Sequence, residues 1–236
     1  MSQPGYLLNL GVTPYMDAWD LQRSIAAAVS QDAIPDTVIM LEHPPVVTLG
    51  RRTAEEELHV PEGADVEVVE TNRGGKSTFH GPGQLVCYPI FDLNRHGRDV
   101  KRFCRELEES VIRTAASFGV EATRIEGLTG VWLESPPRKL CSIGVHISRW
   151  VTTHGYALNV DLDPAPFTDW ITACGLEDAA FTTLARELGR PVGVDEVRPA
   201  ASAALAEVFG LELSELPAEG GAGLWDQPVH AQLASK

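Results

Sequence analysis

The sequence predicts an α+β fold, and three observations carry that reading. Apolar runs of strand length dominate the middle of the chain, and the last of them follow one another too closely to leave room for helices. Helical stripes recur towards both ends. Between Arg73 and Gly83 the chain spends four glycines and a proline (Gly74, Gly75, Gly81, Pro82, Gly83) and then turns at once into an apolar strand. Glycine in that density, ahead of a strand, describes backbone shaped to approach something closely.

Taken in order, Tyr6 to Val12 is a short apolar strand, and Thr13-Pro14 reads as N-cap and first residue of a helix. Tyr15, Met16, Trp19, Ile25, Ala26 and Val29 give that helix its apolar stripe, up to about Asp32. Thr37 to Glu42 is a strand broken by His43-Pro44-Pro45 and resumed from Val46 to Leu49. Asp65 to Thr71 leads into the glycine loop, and Gln84 to Leu93 is expected as its partner on the far side. Asp99 caps a helix with Val100, Phe103, Leu107, Val111, Ala115 and Phe118 on one face and Gly119 as its stop. Strands follow near Val120 to Glu126, Gly130 to Glu134, Lys139 to Ile147 and Trp150 to Leu162, the last three in antiparallel order. Short helices are expected at Pro166 to Thr172 and Thr182 to Leu188, and an alanine-rich one from Asp195 to Phe209, ended by Gly210. This makes a single domain over residues 1–213 and a tail of Pro, Gly, Ala and polar residues over 214–236, expected to be disordered.

Composition removes several function classes. A net charge of −14 argues against general nucleic-acid binding, which rests on neutralising phosphates. No apolar run reaches membrane-spanning length, and the opening residues have neither a basic nor a long apolar region, so no membrane role and no export signal is expected. The four cysteines, Cys87, Cys104, Cys141 and Cys174, form no C-x-x-C pair and no histidines stand at metal-ligand spacing, so disulfide and metal sites both read poorly and a cytoplasmic location is expected. Gly75-Lys76-Ser77 ends like a Walker loop, yet Glu70 stands where its first glycine belongs, and no helix can start at His80-Gly81-Pro82-Gly83.

Two residues stand out chemically. Lys139, one of four lysines, heads an otherwise apolar strand, where an amine is costly unless paired or deprotonated; it is either a functional amine or the solvated start of the strand. Cys174, beside Gly175 between helical segments, is either a nucleophile favoured by nearby N–H groups or an inert core thiol. His80, His146 and His154 are each structural or substrate-orienting, and the sequence does not choose.

Arg73-Gly74-Gly75, Thr78, His80-Gly81-Pro82-Gly83-Gln84 and Tyr88-Pro89, with Glu42-His43-Pro44-Pro45 upstream, resemble the lipoyl(octanoyl) transferases of lipoate biosynthesis. So do Lys139-x-x-Ser142-Ile143-Gly144, His154-Gly155-Tyr156-Ala157-Leu158-Asn159 and Cys174-Gly175 downstream. The resemblance implies the mixed sheet flanked by helices of biotin and lipoate protein ligase catalytic domains, as a monomer. It implies a catalytic dyad of Cys174 and Lys139. An acyl-binding surface would comprise Arg73, Gly74, Gly75, Lys76, Ser77, Thr78, Phe79 and His80, together with Ser142, Ile143, Gly144, Gly155, Tyr156 and Ala157. The implied donor is octanoyl-acyl carrier protein, its chain delivered on phosphopantetheine with no further cofactor. The implied acceptors are lipoyl domains of 2-oxoacid dehydrogenase complexes and the glycine cleavage H protein. One departure is Ala173, where the family usually has proline.

Two other readings compete: an ATP-dependent lipoate or biotin protein ligase, which needs no cysteine, and a non-catalytic carrier- or acyl-binding module. Because carrier proteins are acidic, Arg51, Arg52, Arg73, Lys76, Arg138 and Arg149 are expected to gather as a basic rim around the pocket mouth.

Overall fold

The computed structural model describes residues 2–171 and 180–217. Strand β1 (Gln3–Val12) leads into helix α1 (Tyr15–Ser30) and back through β2 (Asp36–Glu42). The two prolines after His43 interrupt pairing, and Val46–Leu49 resumes as β3. A 3-10 turn at Glu55–Glu57 and β4 (Glu67–Glu70) precede the glycine loop, which yields β5 (Thr78–His80) and then β6 (Gln84–Ile90). Helix α2 (Val100–Ser117) starts where the Asp99 carboxylate accepts from the Arg102 N–H at 3.0 Å. Strands β7 (Thr123–Ile125), β8 (Leu128–Leu133), β9 (Arg138–Ser148) and β10 (Val151–Asn159) follow. The chain closes through α3 (Pro166–Asp169), β11 (Ala180–Phe181), α4 (Leu184–Leu188), α5 (Val194–Phe209) and β12 (Leu211–Leu216).

The main sheet has the order β12-β1-β2-β6-β10-β9-β8-β7, with β11 added in parallel on β9. Its first three strands run parallel and the rest pair antiparallel. The central strands are apolar on both faces, which places the sheet inside the molecule with a helical layer on each side. Val38 and Met40 of β2, Leu85 and Cys87 of β6, and Tyr156 and Leu158 of β10 pack with α2 and α5. Their alternates, Ile39 and Leu41, Val86 and Tyr88, and Ala157, pack with Ala18, Ile25 and Val29 of α1.

Several expectations shift. The helix expected to start at Pro14 with Thr13 as its cap begins at Tyr15, because Pro14 keeps an extended ψ of 144°; the Thr13 hydroxyl donates back to the Gly11 carbonyl at 3.2 Å. The strand before the glycine loop does not pair with the strand after it: β4 and β5 flank β3 in a separate sheet of order β4-β3-β5, while β6 sits between β2 and β10. Strand β12, parallel to β1 as far as Leu8↔Leu216, carries the folded domain across the boundary expected at 213/214. Residues 218–236 of the expected tail lie outside the described residues. No helix among the described residues is long and apolar enough to cross a membrane.

Candidate active site

The glycine loop is stitched down on the main sheet by its own backbone and by one side chain. Gly74 N–H donates to the Val145 carbonyl at 3.0 Å, and Arg51 and Arg52 N–H groups donate to Arg73 and Gly75 carbonyls at 3.2 and 3.1 Å. The Arg73 guanidinium, 7% exposed, reaches back to the Thr48 carbonyl at 2.7 Å and hydroxyl at 2.8 Å, and forward to the Lys76 carbonyl at 2.7 Å and the Gly74 carbonyl at 3.1 Å. A planar fork of fixed donors suits this task as no lysine would.

Beneath the loop, on the α1 side, opens a cleft of about 510 Å³, solvent at its mouth included. Arg73, Gly75, Lys76, Thr78 and His80 line it from the loop, Ser142, Ile143 and Gly144 from β9, and Gly155, Tyr156 and Ala157 from β10. The Tyr156 and Ile143 side chains pack in the opposite layer, so these two residues meet the cleft by their main chain. Gly155 is required by close packing: a Cβ there would lie 2.2 Å from the Cys87 carbonyl oxygen.

Three expected binding residues are not in the lining. Gly74 is spent on Val145. Ser77 is buried, with an Oγ that makes no hydrogen bond among the described residues. Phe79 points away, with its ring edge-on to Phe167 at 5.9 Å and to Trp170 at 5.5 Å. Strand alternation explains Phe79, which faces opposite to its neighbours Thr78 and His80.

Four lining residues were missed as such: Tyr15, Val86, Tyr88 and His154. Tyr15 stands in a helical stripe that reads as core, and His154 was left undecided. The backbone at His154 holds φ +59°, a left-handed conformation uncommon outside glycine. It is fixed from three sides, since its N–H donates to Gln22 Oε1 at 2.7 Å and its ring lies 2.8 Å from Asn72 Oδ1 and 3.4 Å from the Tyr15 hydroxyl.

These groups form a nest of three imidazoles. His43 faces His80 at 5.7 Å between ring centroids, and Tyr15 stacks on His80 at 6.1 Å. Burial holds His43 down at about 4 and, joined by the Arg73 charge, His154 at about 3. His80 is held well below the usual histidine range, first by burial and then by His43. All three rings are therefore neutral at physiological pH. Burial also pushes the Tyr15 phenol up to about 12 against the pull of Arg73. His146 is half-buried and outside the lining.

Lys139 is 3% exposed on β9, three positions before Ser142, with its Nζ 5.1 Å from the Trp132 ring centroid. It is therefore not the solvated start of a strand. Gly130 makes the space: at φ +117°, a Cβ there would meet the Cys141 carbonyl oxygen at 2.4 Å and Lys139 Cε at 2.9 Å. Cys174 lies outside the described residues. The chain resumes at Ala180, whose strand pairs with Arg138 and Lys139, and the Thr182 N–H donates to the Lys139 carbonyl at 3.0 Å.

The expected basic rim does not assemble. Arg138 and Arg149 are separated by the 11 residues of β9, roughly 35 Å of strand. Arg138 is held by both carboxylate oxygens of Glu187 at 3.0 Å, Lys76 pairs with Glu57, and Arg73 is buried. These three cations, Arg73, Lys76 and Arg138, are each committed to oxygen partners of their own.

The family model of the lipoyl protein ligase A/B catalytic domain matches residues 14–206. An octanoyltransferase of Chloroflexus aurantiacus is 48% identical over 208 residues, covering 86% of this chain and 93% of that protein. An octanoyltransferase of Mycobacterium tuberculosis is 51% identical over 199 residues, 84% of each chain. In structure, the chain is similar to a bi-partite lipoate protein ligase of Thermoplasma acidophilum, with a TM-score of 0.73, 17% identity and coverage of 93% and 90%. A lipoate-protein ligase A bound with ATP gives a TM-score of 0.71 at 16% identity, covering 93% and 92%. The fold is that of the lipoate protein ligases, and the chain belongs to the octanoyltransferase family within the lipoyl protein ligase A/B catalytic domain.

Proposed function

We propose that this chain is an acyltransferase that moves an octanoyl group from octanoyl-acyl carrier protein to the lysine amine of a lipoyl domain, through a thioester on Cys174. The observation that carries the reading is the composition of the cleft. Eleven of the fourteen residues expected to bind the acyl chain line one cavity, in a chain whose relatives are octanoyltransferases. Val86 and Ala157 give it an apolar wall, and each methylene fully buried there contributes about 0.8 kcal/mol.

The donor thioester is already activated, so no ATP is consumed. The Cys174 thiolate attacks the thioester carbonyl, and the carbon–sulfur bond to the carrier's pantetheine breaks, releasing that thiol. The lipoyl-domain amine then attacks the new thioester, Lys139 takes the proton released, and the Cys174 sulfur leaves, giving an amide. Two features of the described chain support this assignment. Lys139 is held in a buried place that Gly130 keeps open. Cys174 is six residues before Ala180, the register partner of Arg138, a stretch of chain that spans at most roughly 20 Å.

The test is transfer from octanoyl-acyl carrier protein to a purified lipoyl domain without nucleotide. Transfer is expected with the wild-type chain and lost with Cys174→Ser or Lys139→Ala. A requirement for ATP, or full activity in Cys174→Ser, would contradict the reading.

A further inference from the structure

A line of buried amides runs from the cleft to the strand of Lys139, and its direction is set by backbone carbonyls. Asn159 Nδ2 donates to the Thr182 carbonyl at 3.1 Å, which obliges Asn159 Oδ1 to face Gln84 Nε2 at 2.9 Å. Gln84 Nε2 has a second acceptor in the Phe79 carbonyl at 3.4 Å, which fixes the same orientation independently. Gln84 Oε1 is thereby left to accept from His80 Nδ1 at 2.7 Å. Gln84 and Asn159 are 0% and 2% exposed, so water does not compete for these bonds. A histidine whose Nδ1 must donate, and which stays neutral, carries a bare Nε2. That nitrogen has no hydrogen-bond partner among the described residues, and His80 lines the cleft.

We propose that His80 is a further catalytic residue, whose Nε2 accepts a hydrogen bond from the attacking amine of the acyl acceptor, and that Gln84 and Asn159 are positioning residues that fix its tautomer. This rests on the transfer reading above. A primary amine has two N–H groups when it attacks. As the nitrogen–carbon bond forms and the carbon–sulfur bond breaks, one proton passes to Lys139; the other N–H stays in the amide, and His80 holds it. His80 takes no proton, so a neutral imidazole of low basicity suits the role, and burial, with His43 and then Arg73 beside it, keeps it so. The same amide line ends on Thr182, whose N–H donates to the Lys139 carbonyl, so the acceptor for one N–H and the strand bearing the base for the other share one scaffold.

Nitrogen-15 NMR of histidine-labelled protein reads the tautomer directly. The wild-type chain is expected to show a protonated Nδ1 and a bare Nε2 from about pH 5 to about pH 8. In Gln84→Glu a carboxylate beside Nδ1 favours the imidazolium, which puts a proton on Nε2. Transfer from pre-formed octanoyl-enzyme to the lipoyl domain is then expected to slow about tenfold near neutral pH, the worth of one hydrogen bond, and to recover above the new pKa of His80. A proton on Nε2 in the wild type overturns the proposal. So does a Gln84→Glu protein in which His80 stays neutral, or in which it is protonated while transfer keeps its rate. If Gln84→Glu does not fold, the wild-type spectrum decides. A wild-type chain that forms no octanoyl adduct defeats the transfer reading and leaves the tautomer assignment to the spectrum.

Discussion

Arg73 does two things at the residue scale that a sequence motif shows as one letter. Its guanidinium braces the glycine loop through Thr48, Gly74 and Lys76, and its charge adds to the burial that holds His80 and His154 neutral. The buried fork satisfies carbonyls that would otherwise be orphaned, so Arg73→Gln is expected to cost on the order of 3 kcal/mol. It should also raise the proton affinity of both imidazoles. Chemical denaturation and histidine NMR titration measure the two effects, and a variant as stable as wild type would refute the brace. Lys139 shows the same interplay of side chain and space. A methyl group at Gly130 would collide with Lys139 Cε and the Cys141 carbonyl at a φ that L-residues rarely adopt. Gly130→Ala is thus expected to destabilise by roughly 2 kcal/mol and to lower kcat more than KM. Unchanged kcat with intact folding would show that Lys139 is not placed by this gap.

At the scale of elements, the short strand β5 connects two regions that the sequence keeps far apart. Its outward ring, Phe79, packs on Phe167 and Trp170 before the segment 172–179, and Phe167 stacks on Phe181 after it at 4.2 Å with planes 4° apart. The chain that carries Cys174 is therefore anchored at both flanks by one aromatic cluster, adjoining the cleft but separate from it. Phe79→Ala removes the ring that backs Phe167 and Trp170 on the leading flank, and a loss of about 3 kcal/mol is expected from the cavity alone. Acylation at Cys174 should slow although no lining residue has changed; unchanged acylation would mean the cluster does not position that segment. Here the sequence was legible only in part. Arg73, Lys76, Thr78 and His80 were readable because polar residues set among closely spaced glycines are a local signal, whereas Ser142 to Gly144 and Gly155 to Ala157 were reached only through the family resemblance. The destination of Phe79 was not readable, because strand parity decides it and a three-residue strand leaves no periodicity to read. The pairing of β3 with β5, and of β1 with β12, depends on register between distant segments, so the expected partnership across the glycine loop failed for the same reason.

Over the whole molecule, the imidazole nest links the cleft to acid stability. His43, His80 and His154 come from three separate stretches of sequence, which is why their mutual effect was invisible until the sheets were assembled. In the folded state His43 holds its proton only below about 4 and His154 only below about 3, against about 6.5 in an unfolded chain. Between those values the unfolded state binds protons that the folded state refuses, so stability falls as pH falls through that window. For His43 alone the loss at pH 5 is on the order of 2 kcal/mol. Urea denaturation at neutral pH and near pH 5 should show that decline, and His43→Asn should shallow its slope even while lowering stability overall; a slope unchanged by the substitution would contradict it. The scattered arginines belong to this scale too. Arg138 and Arg149 sit at opposite ends of β9, so the rim the sequence suggested does not close around one mouth. The central claim is that acyl transfer passes through a covalent adduct on Cys174, in the segment whose two flanks the aromatic cluster holds. Intact-protein mass measurement after mixing with octanoyl-acyl carrier protein tests it most directly. One added octanoyl group that maps to Cys174 and disappears when lipoyl domain is supplied is the expected result; an unmodified chain that still transfers octanoate, or an adduct on another residue, would contradict the account.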